Sequence, residues 1–169
     1  MKIRVLVMVL SFFCTAIVLQ AQVIRSGDEA LVRQIKQSEK KYKLIYIHCN
    51  YCLASQIRYP KVIKGTENNK DIEVFVISAQ DSEEVAQYAD TCRVKSKIYL
   101  INQKRKRRWV SFYNPIKATC KFLKKQFDIN SDEMGASDFC ILDKNNKVIV
   151  QTSWEMKDDE YFNMLSSKN

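Results

Sequence analysis

Short apolar runs alternate with segments of helical periodicity, and this alternation limits the possible folds more than any other feature of the sequence. Residues 43–47 and 72–77 are rich in β-branched and aromatic side chains, which is typical of buried strands. Residues 53–64, which lie between them, have helical periodicity. Two such strands joined through a helix predict a parallel pair with a crossover connection.

The same kinds of segment continue on both sides of this unit. Ser26 and Glu29 have the spacing of a capping box and predict a helix running towards Tyr42, and Ser82 begins a similar segment that runs to about Cys92. Further along, we predict a strand over 97–101, a helix over 115–127, strands over 139–142 and 148–150 joined by a polar turn, and a helix over 156–165. The sequence therefore predicts an α/β three-layer sandwich, with a mixed sheet of about four to five strands and helices on both faces.

The first residues have the composition of an export signal. Two cations precede an apolar run over residues 5–19, and Ala21 supplies a small residue for cleavage. The run is shorter than a typical membrane span, although an uncleaved anchor is the alternative. We predict a signal peptide over residues 1–21 and one domain over residues 22–169, in a periplasmic or secreted protein.

The predicted mature chain contains an odd number of cysteines, namely Cys49, Cys52, Cys92, Cys120 and Cys140. In an exported protein an odd set indicates a free or exchanging thiol, or buried unpaired cysteines. We expect the last three to be packing residues, because free cysteine is among the most buried residue types. With one Cys-x-x-Cys and one histidine in the chain, no zinc site is predicted.

The order of elements, with a cysteine pair directly after a buried strand, resembles the thioredoxin-like superfamily, especially exported TlpA-like and AhpC/TSA-type thiol proteins. Residues 47–60 and 138–149 carry the resemblance, the latter as an apolar strand ending in Asp143, a polar turn and a returning strand. The likeness covers about residues 26–165. It implies thiol-disulfide exchange with protein thiols or disulfides, using no cofactor beyond a thiol donor protein.

The resemblance leaves two possible registers for the active site. The family pattern is an aromatic residue, then Cys-x-x-Cys, then a proline five residues after the second cysteine. If Cys49 and Cys52 are the pair, that proline falls on Ile57. If Cys52 is the first cysteine, Ser55 takes the second position and the proline falls on Pro60. A proline inside a helix costs around 3 kcal/mol, so its placement favours the second register.

In this register Cys52 is the implied nucleophile. The start of a helix points unpaired amides outward and favours a thiolate, the form that attacks disulfides. Ser55 is unable to resolve a mixed disulfide, so Cys49 is the candidate resolving thiol, because a tight turn brings residues i and i+3 within disulfide reach. Alternatively, Cys49 is only a small residue at a strand end. His48 is a candidate base, but nothing in the sequence orients it.

The family pattern is also broken at Ser137, where these proteins carry a cis-proline. A cis bond before serine costs ~2.5–4 kcal/mol, so we predict a trans loop. The loss of both the second cysteine and the proline leaves a redox-inactive thioredoxin-fold binding module as the alternative function. A peroxidase is a weaker alternative, because peroxiredoxins have a threonine at the position of Cys49.

The chain is basic, with a formal net charge of +9. A run of cations follows the third predicted strand and consists of Lys104, Arg105, Lys106, Arg107 and Arg108. Together with the neighbouring Trp109, this run is typical of a contact with an anionic surface. In an exported protein we expect a solvated loop or such a surface contact, and not nucleic-acid binding.

Overall fold

Six strands and five helices follow one another in the described part of this computed structural model, which comprises residues 22–91, 96–101 and 114–166. The strands are β1 (Gln22–Ile24), β2 (Tyr42–Ile47), β3 (Ile72–Ser78), β4 (Lys97–Leu100), β5 (Phe139–Asp143) and β6 (Val148–Gln151). The helices are α1 (Asp28–Gln37), α2 (Leu53–Thr66), α3 (Ser82–Thr91), α4 (Pro115–Phe127) and α5 (Asp158–Ser166).

The strands form one mixed sheet in the order β1-β4-β3-β2-β5-β6. The first four are parallel, and β5 and β6 are antiparallel to their neighbours. The predicted parallel pair is confirmed, with Leu44 beside Val74 and Ile47 beside Ile77. Strand β1 was not predicted, because three residues are too few to show an alternation of apolar and polar side chains.

Helices cover both faces of the sheet, because the interior strands are apolar on both sides. In β2, Ile45 and Ile47 join the core beneath α1 and α4. Leu44 and Tyr46 point to the opposite face and join the core beneath α2, α3 and α5. The predicted three-layer sandwich is therefore confirmed, and β2 ends between its two helical layers.

Two helix starts differ from the sequence prediction. Helix α1 begins after Gly27, which has no side-chain cap, and it ends at Gln37, well before Tyr42. The capping box expected from Ser26 is therefore absent. At the start of α3, Asp81 Oδ1 accepts the Glu83 amide at 3.0 Å, so an aspartate precedes the predicted first residue and caps the helix.

Several predicted features lie outside the described residues. These are the signal peptide over residues 1–21, Cys92, and the cation run over residues 104–108. They remain predictions from the sequence. Of the helices that the structure describes, none combines the length and the apolar character needed to cross a membrane.

Candidate thiol site

The turn between β2 and α2 carries Cys49 and Cys52. The Cys52 amide donates to the Cys49 carbonyl at 3.2 Å, which closes a β-turn. Cys52 is the N-cap residue of α2 and is partly exposed, and its carbonyl accepts the Gln56 amide at 3.0 Å. A β-turn of this kind holds the Cα atoms of its first and fourth residues within about 7 Å of each other, and both cysteines carry free thiols.

Cys49 is the buried member of this pair, with an exposed fraction of 3%. Burial raises the pKa of the Cys49 thiol, although the amides of Tyr51 and Cys52 donate towards its sulfur and partly oppose the shift. The protonated thiol is therefore favoured at neutral pH. Cys52, in contrast, is partly exposed.

Ser55 lies in the first turn of α2 and is fully buried. Its Oγ accepts the Cys49 amide at 3.1 Å and lies 3.4 Å from the Tyr46 hydroxyl. That hydroxyl also donates to the Ser55 carbonyl at 3.2 Å, and burial raises the pKa of Tyr46, which keeps it protonated. The side chain at this position is thus satisfied by hydrogen bonds and supplies no second thiol.

Asn50 connects the turn to three neighbouring segments. Its amide donates to Gln80 Oε1 at 2.6 Å, and its Nδ2 donates to the Glu84 carbonyl at 2.5 Å. Its carbonyl accepts Gln56 Nε2 at 2.6 Å, and its Oδ1 accepts His48 Nε2 at 2.8 Å. All four polar groups of Asn50 are paired, so the turn has a fixed shape. Sequence reasoning missed this residue, because asparagine is common in turns of every kind.

His48 lies in the core beside the turn, with its ring centroid 5.0 Å from that of Tyr59 and 4.8 Å from that of Tyr88. Burial lowers the pKa of His48 to about 4, and the bond to Asn50 opposes that shift. Because Nε2 donates to Asn50, Nδ1 carries no proton, and it is buried without a hydrogen-bond partner. So low a pKa makes the ring a weak base, which argues against the catalytic role considered from the sequence.

Ser137 lies in the loop that precedes β5. All peptide bonds of the described residues are trans, so the predicted trans loop is present. Ser137 has a φ of 78°, in the region that favours glycine. Its amide donates to the Ile47 carbonyl at 2.9 Å, its carbonyl accepts the Tyr161 hydroxyl at 2.5 Å, and its Oγ lies 3.4 Å from Arg58 Nη1. These contacts hold the left-handed backbone in place.

Arg58 links α2 to α5 through a nearly buried guanidinium. Its Nε and Nη2 donate to Asp158 Oδ1 at 2.8 and 2.6 Å, and Nη2 also donates to the Met156 carbonyl at 3.2 Å. The guanidinium carbon lies 4.3 Å from the centre of the Tyr161 ring. The ion pair with Asp158 neutralises the charge of Arg58 within the fold. Because Arg58 Nη1 also lies 3.4 Å from Ser137 Oγ, the side chain supports the Ser137 loop. From sequence alone, an arginine in a helix indicates only a solvated face.

Cys120 and Cys140 are buried in the core beneath α1 and α4, with exposed fractions of 6% and 0%. Burial raises the pKa of Cys120 to about 11 and raises that of Cys140 as well. Cys120 Sγ donates to the Met134 carbonyl at 3.5 Å. The prediction that these two cysteines are packing residues is confirmed.

Comparisons with known proteins identify the fold. No protein-family model matches the sequence, and no curated protein matches it. Among solved structures, a thiol:disulfide interchange protein of the thioredoxin family from Chlorobium tepidum TLS superposes with a TM-score of 0.53 at 9% identity, over 75% of this chain and 78% of that one. A thioredoxin-like protein from Aeropyrum pernix gives a TM-score of 0.52 at 12% identity, over 79% and 81%.

A putative protein disulfide isomerase from Bacteroides thetaiotaomicron gives a TM-score of 0.51 at 13% identity, over 75% of this chain and 70% of that one. These similarities extend over most of each chain. The fold is thioredoxin-like, as the resemblance implied.

Proposed function

We propose that this chain is an exported thioredoxin-like protein that takes part in thiol-disulfide exchange, with Cys52 as the nucleophile. The observation that carries the proposal is the position of Cys52, which is partly exposed at the N-cap of α2, directly after an interior strand. Thiol-disulfide exchange needs a cysteine that a partner disulfide can reach, whereas Cys49, Cys120 and Cys140 are buried. The name of the Chlorobium structure, a thiol:disulfide interchange protein, supports the same chemistry.

In the proposed reaction the Cys52 thiolate attacks one sulfur of a partner disulfide. A mixed disulfide forms between Cys52 and the partner, and the second partner sulfur leaves as a thiolate that takes up a proton. Cys49 then attacks Cys52, which forms the Cys49–Cys52 disulfide and releases the partner as a thiol. A thiol donor protein reduces this disulfide and returns the site to its starting state.

Resolution by Cys49 is the slow step of this scheme. Its thiol is buried, and burial raises its pKa, so the side chain must lose both its packing and its proton before it attacks. We therefore expect mixed disulfides at Cys52 to be long-lived. Diamide treatment of the folded protein followed by mass mapping tests this role directly. A Cys49–Cys52 bond supports it, and two free thiols would eliminate Cys49 as the resolving residue.

The activity itself is tested by insulin reduction with dithiothreitol as the donor, and by trapping disulfide-linked partners. Cys52→Ala is expected to reduce both readouts to background. Cys49→Ala is the matched control, and it is expected to increase the amount of trapped partner because the mixed disulfide lacks its resolving thiol. If Cys52→Ala equals the wild type in both assays, the exchange function is wrong.

A redox-inactive binding module is the second candidate. It is favoured by Ser55, which replaces the second thiol, and by Ser137, whose amide and carbonyl are both bonded within the fold. This candidate predicts partner binding that survives Cys52→Ala and that needs no disulfide. Pull-down under reducing conditions separates the two candidates.

A further inference from the structure

Helix α4 presents only lysines to solvent. The exposed residues of this 13-residue helix are Lys117, Lys121, Lys124 and Lys125, and the helix contains no acidic residue. Their spacing of three or four residues places them on one side of the helix. The opposite side is buried against the sheet through Cys120 and Leu123. The solvent face of α4 therefore carries one sign of charge.

This positive charge is poorly balanced by the rest of the fold. Lys117, Lys121 and Lys125 form no ion pair with any described carboxylate. Lys124 Nζ lies 3.9 Å from Asp132 Oδ2, but both side chains are largely exposed, so this pair is weak. Like charges four residues apart destabilise a helix, and the positive end of the helix dipole disfavours a lysine in the first turn. An anionic partner relieves both effects.

Helix α1 extends the positive surface. The Lys36 Nζ, in the last turn of α1, lies 5.8 Å from the centre of the Phe127 ring at the end of α4. Arg33 is also exposed and lies one turn earlier, whereas the carboxylates of α1, Asp28 and Glu29, lie in its first turn. We call Lys36 and the four exposed lysines of α4 the lysine face.

The composition of the lysine face favours a lipid surface over a protein. Protein interfaces are depleted in lysine and rely on aromatic and arginine anchors. The large apolar side chains that are exposed in the described part of the chain all lie outside α1 and α4, at Tyr51, Leu53, Ile57, Ile149 and Trp154. Lysine is a point charge without the planar fork of arginine, and clustered lysines bind anionic headgroups without needing a matching shape.

We propose that the lysine face lies on the surface of an anionic phospholipid bilayer. The contact is electrostatic, because the described residues of α1 and α4 include no large exposed apolar side chain to insert between the lipids. Helices α1 and α4 cover the sheet face opposite to α2, whose N-cap is Cys52. Contact through the lysine face therefore does not involve α2, and the inference is independent of the proposed exchange function.

Lysine acetylation tests the inference on the full chain. The protein is mixed with vesicles of phosphatidylcholine, with or without about 30% phosphatidylglycerol, and treated briefly with acetic anhydride. Mass mapping then gives the acetylation rate of each lysine. Because the rates are read residue by residue, they report which surface meets the bilayer even if the apolar run over residues 5–19 inserts. Three exposed lysines outside the lysine face are internal controls, namely Lys64, Lys70 and Lys157.

We expect anionic vesicles to slow acetylation of the lysine face at least about threefold relative to the control lysines, and about 0.5 M salt to remove this protection. Vesicles of phosphatidylcholine alone give no protection.

A pair of matched variants gives a second measurement. Replacing Lys117, Lys121 and Lys125 together by glutamine is expected to lower binding to anionic vesicles, relative to neutral ones, at least about tenfold, since each lysine near the surface contributes about fivefold. Replacing the three control lysines by glutamine removes the same net charge and is expected to change this ratio less than about twofold. Glutamine is a good helix former and all six positions are exposed, so both variants are expected to fold.

Three results would overturn the inference. The first is equal protection of the control lysines and the lysine face, and the second is an equal loss of binding in the two triple variants, since either would attribute binding to net charge alone. The third is protection of the lysine face by polyglutamate but not by anionic vesicles, which would assign this surface to an acidic polypeptide.

Discussion

The Cys49–Cys52 turn and the Ser137 loop are both fixed by dense hydrogen bonding, but with opposite results. In the turn, the bonds of Asn50 hold the backbone while Cys52 stays partly exposed. In the loop, the amide, carbonyl and hydroxyl of Ser137 all point to groups within the fold, and the residue is 2% exposed. The turn is therefore organised to present a side chain. The loop is organised as part of the core.

Under the proposed exchange function, we expect a partner to be recognised by side chains around the turn, because the Ser137 amide and carbonyl are both bonded within the fold. The shape of the loop depends on the hydrogen bonds of the Ser137 amide and carbonyl, and no proline is needed at this position.

Ser137→Pro is expected to have the largest effect. Proline fixes φ near −65°, whereas Ser137 has a φ of 78°, and proline lacks the amide that donates to Ile47. We expect a loss of about 3 kcal/mol or more in the free energy of unfolding, measured by urea denaturation. Ser137→Ala is the control for loss of the hydroxyl alone. Retention of wild-type stability by the proline variant would show that this loop tolerates the family's geometry.

Acidification is expected to weaken the turn region through His48. Its pKa of about 4 in the folded state lies below the ordinary value of 6.5, so the unfolded chain binds more protons between these values. Above pH 7 His48 is neutral in both states, so it does not lower the free energy of unfolding. As the pH falls from 6.5 to 4, the free energy of unfolding decreases by about 3 kcal/mol in total.

Urea denaturation of wild type and His48→Gln at pH 7.5 and 4.5 measures this contribution. The variant is expected to lose less stability on acidification. Burial raises the pKa of Asp138, which acts in the opposite direction but equally in both proteins. An identical acid loss in the two proteins would contradict the buried, neutral state of His48.

Asn50→Ala is expected to separate the shape of the turn from the stability of the fold. It removes the bonds from His48 Nε2 and to the Glu84 carbonyl, and it leaves the buried His48 ring without a partner. We expect a loss of about 1–3 kcal/mol and a lower alkylation rate at Cys52. Thr66→Ser, which keeps its hydroxyl and loses a buried methyl group far from the turn, is expected to reduce stability without changing that rate. Equal rates in Asn50→Ala and wild type would show that the network does not position the thiol.

Ser137→Gly is expected to have the smallest effect. Glycine adopts a positive φ without the strain that serine bears, but it loses the long contact with Arg58. The two changes oppose each other, so we expect a net change below about 1 kcal/mol, in the direction of greater stability. A clear destabilisation in urea would mean that the hydroxyl contributes more than the backbone strain costs.

The fold was predictable because each interior strand and each main helix carries its own apolar pattern, as residues 72–77 and 115–127 do. The position of Cys52 at the start of α2 was predictable from its distance to Pro60, which lies within that helix. The hydrogen-bond partners of Asn50 and the burial of Arg58, which hold the site in place, were not predictable in the same way. The partners of Asn50 include Gln80 and Glu84, thirty or more residues away along the chain, and the burial of Arg58 depends on α5 packing against α2. Only the tertiary fold brings these groups together.

Cys52 is proposed as the accessible nucleophile of the folded protein, and the alkylation rates of the cysteines test this most directly. The protein is treated with iodoacetamide at pH 7, folded and in urea, and the modification of each cysteine is followed by mass mapping. We predict that Cys52 is modified first in the folded protein, because Cys49, Cys120 and Cys140 are buried, and that this difference in rate disappears in urea. Modification of one of these buried cysteines at an equal or faster rate than Cys52 in the folded protein would contradict Cys52 as the accessible nucleophile and favour the redox-inactive module.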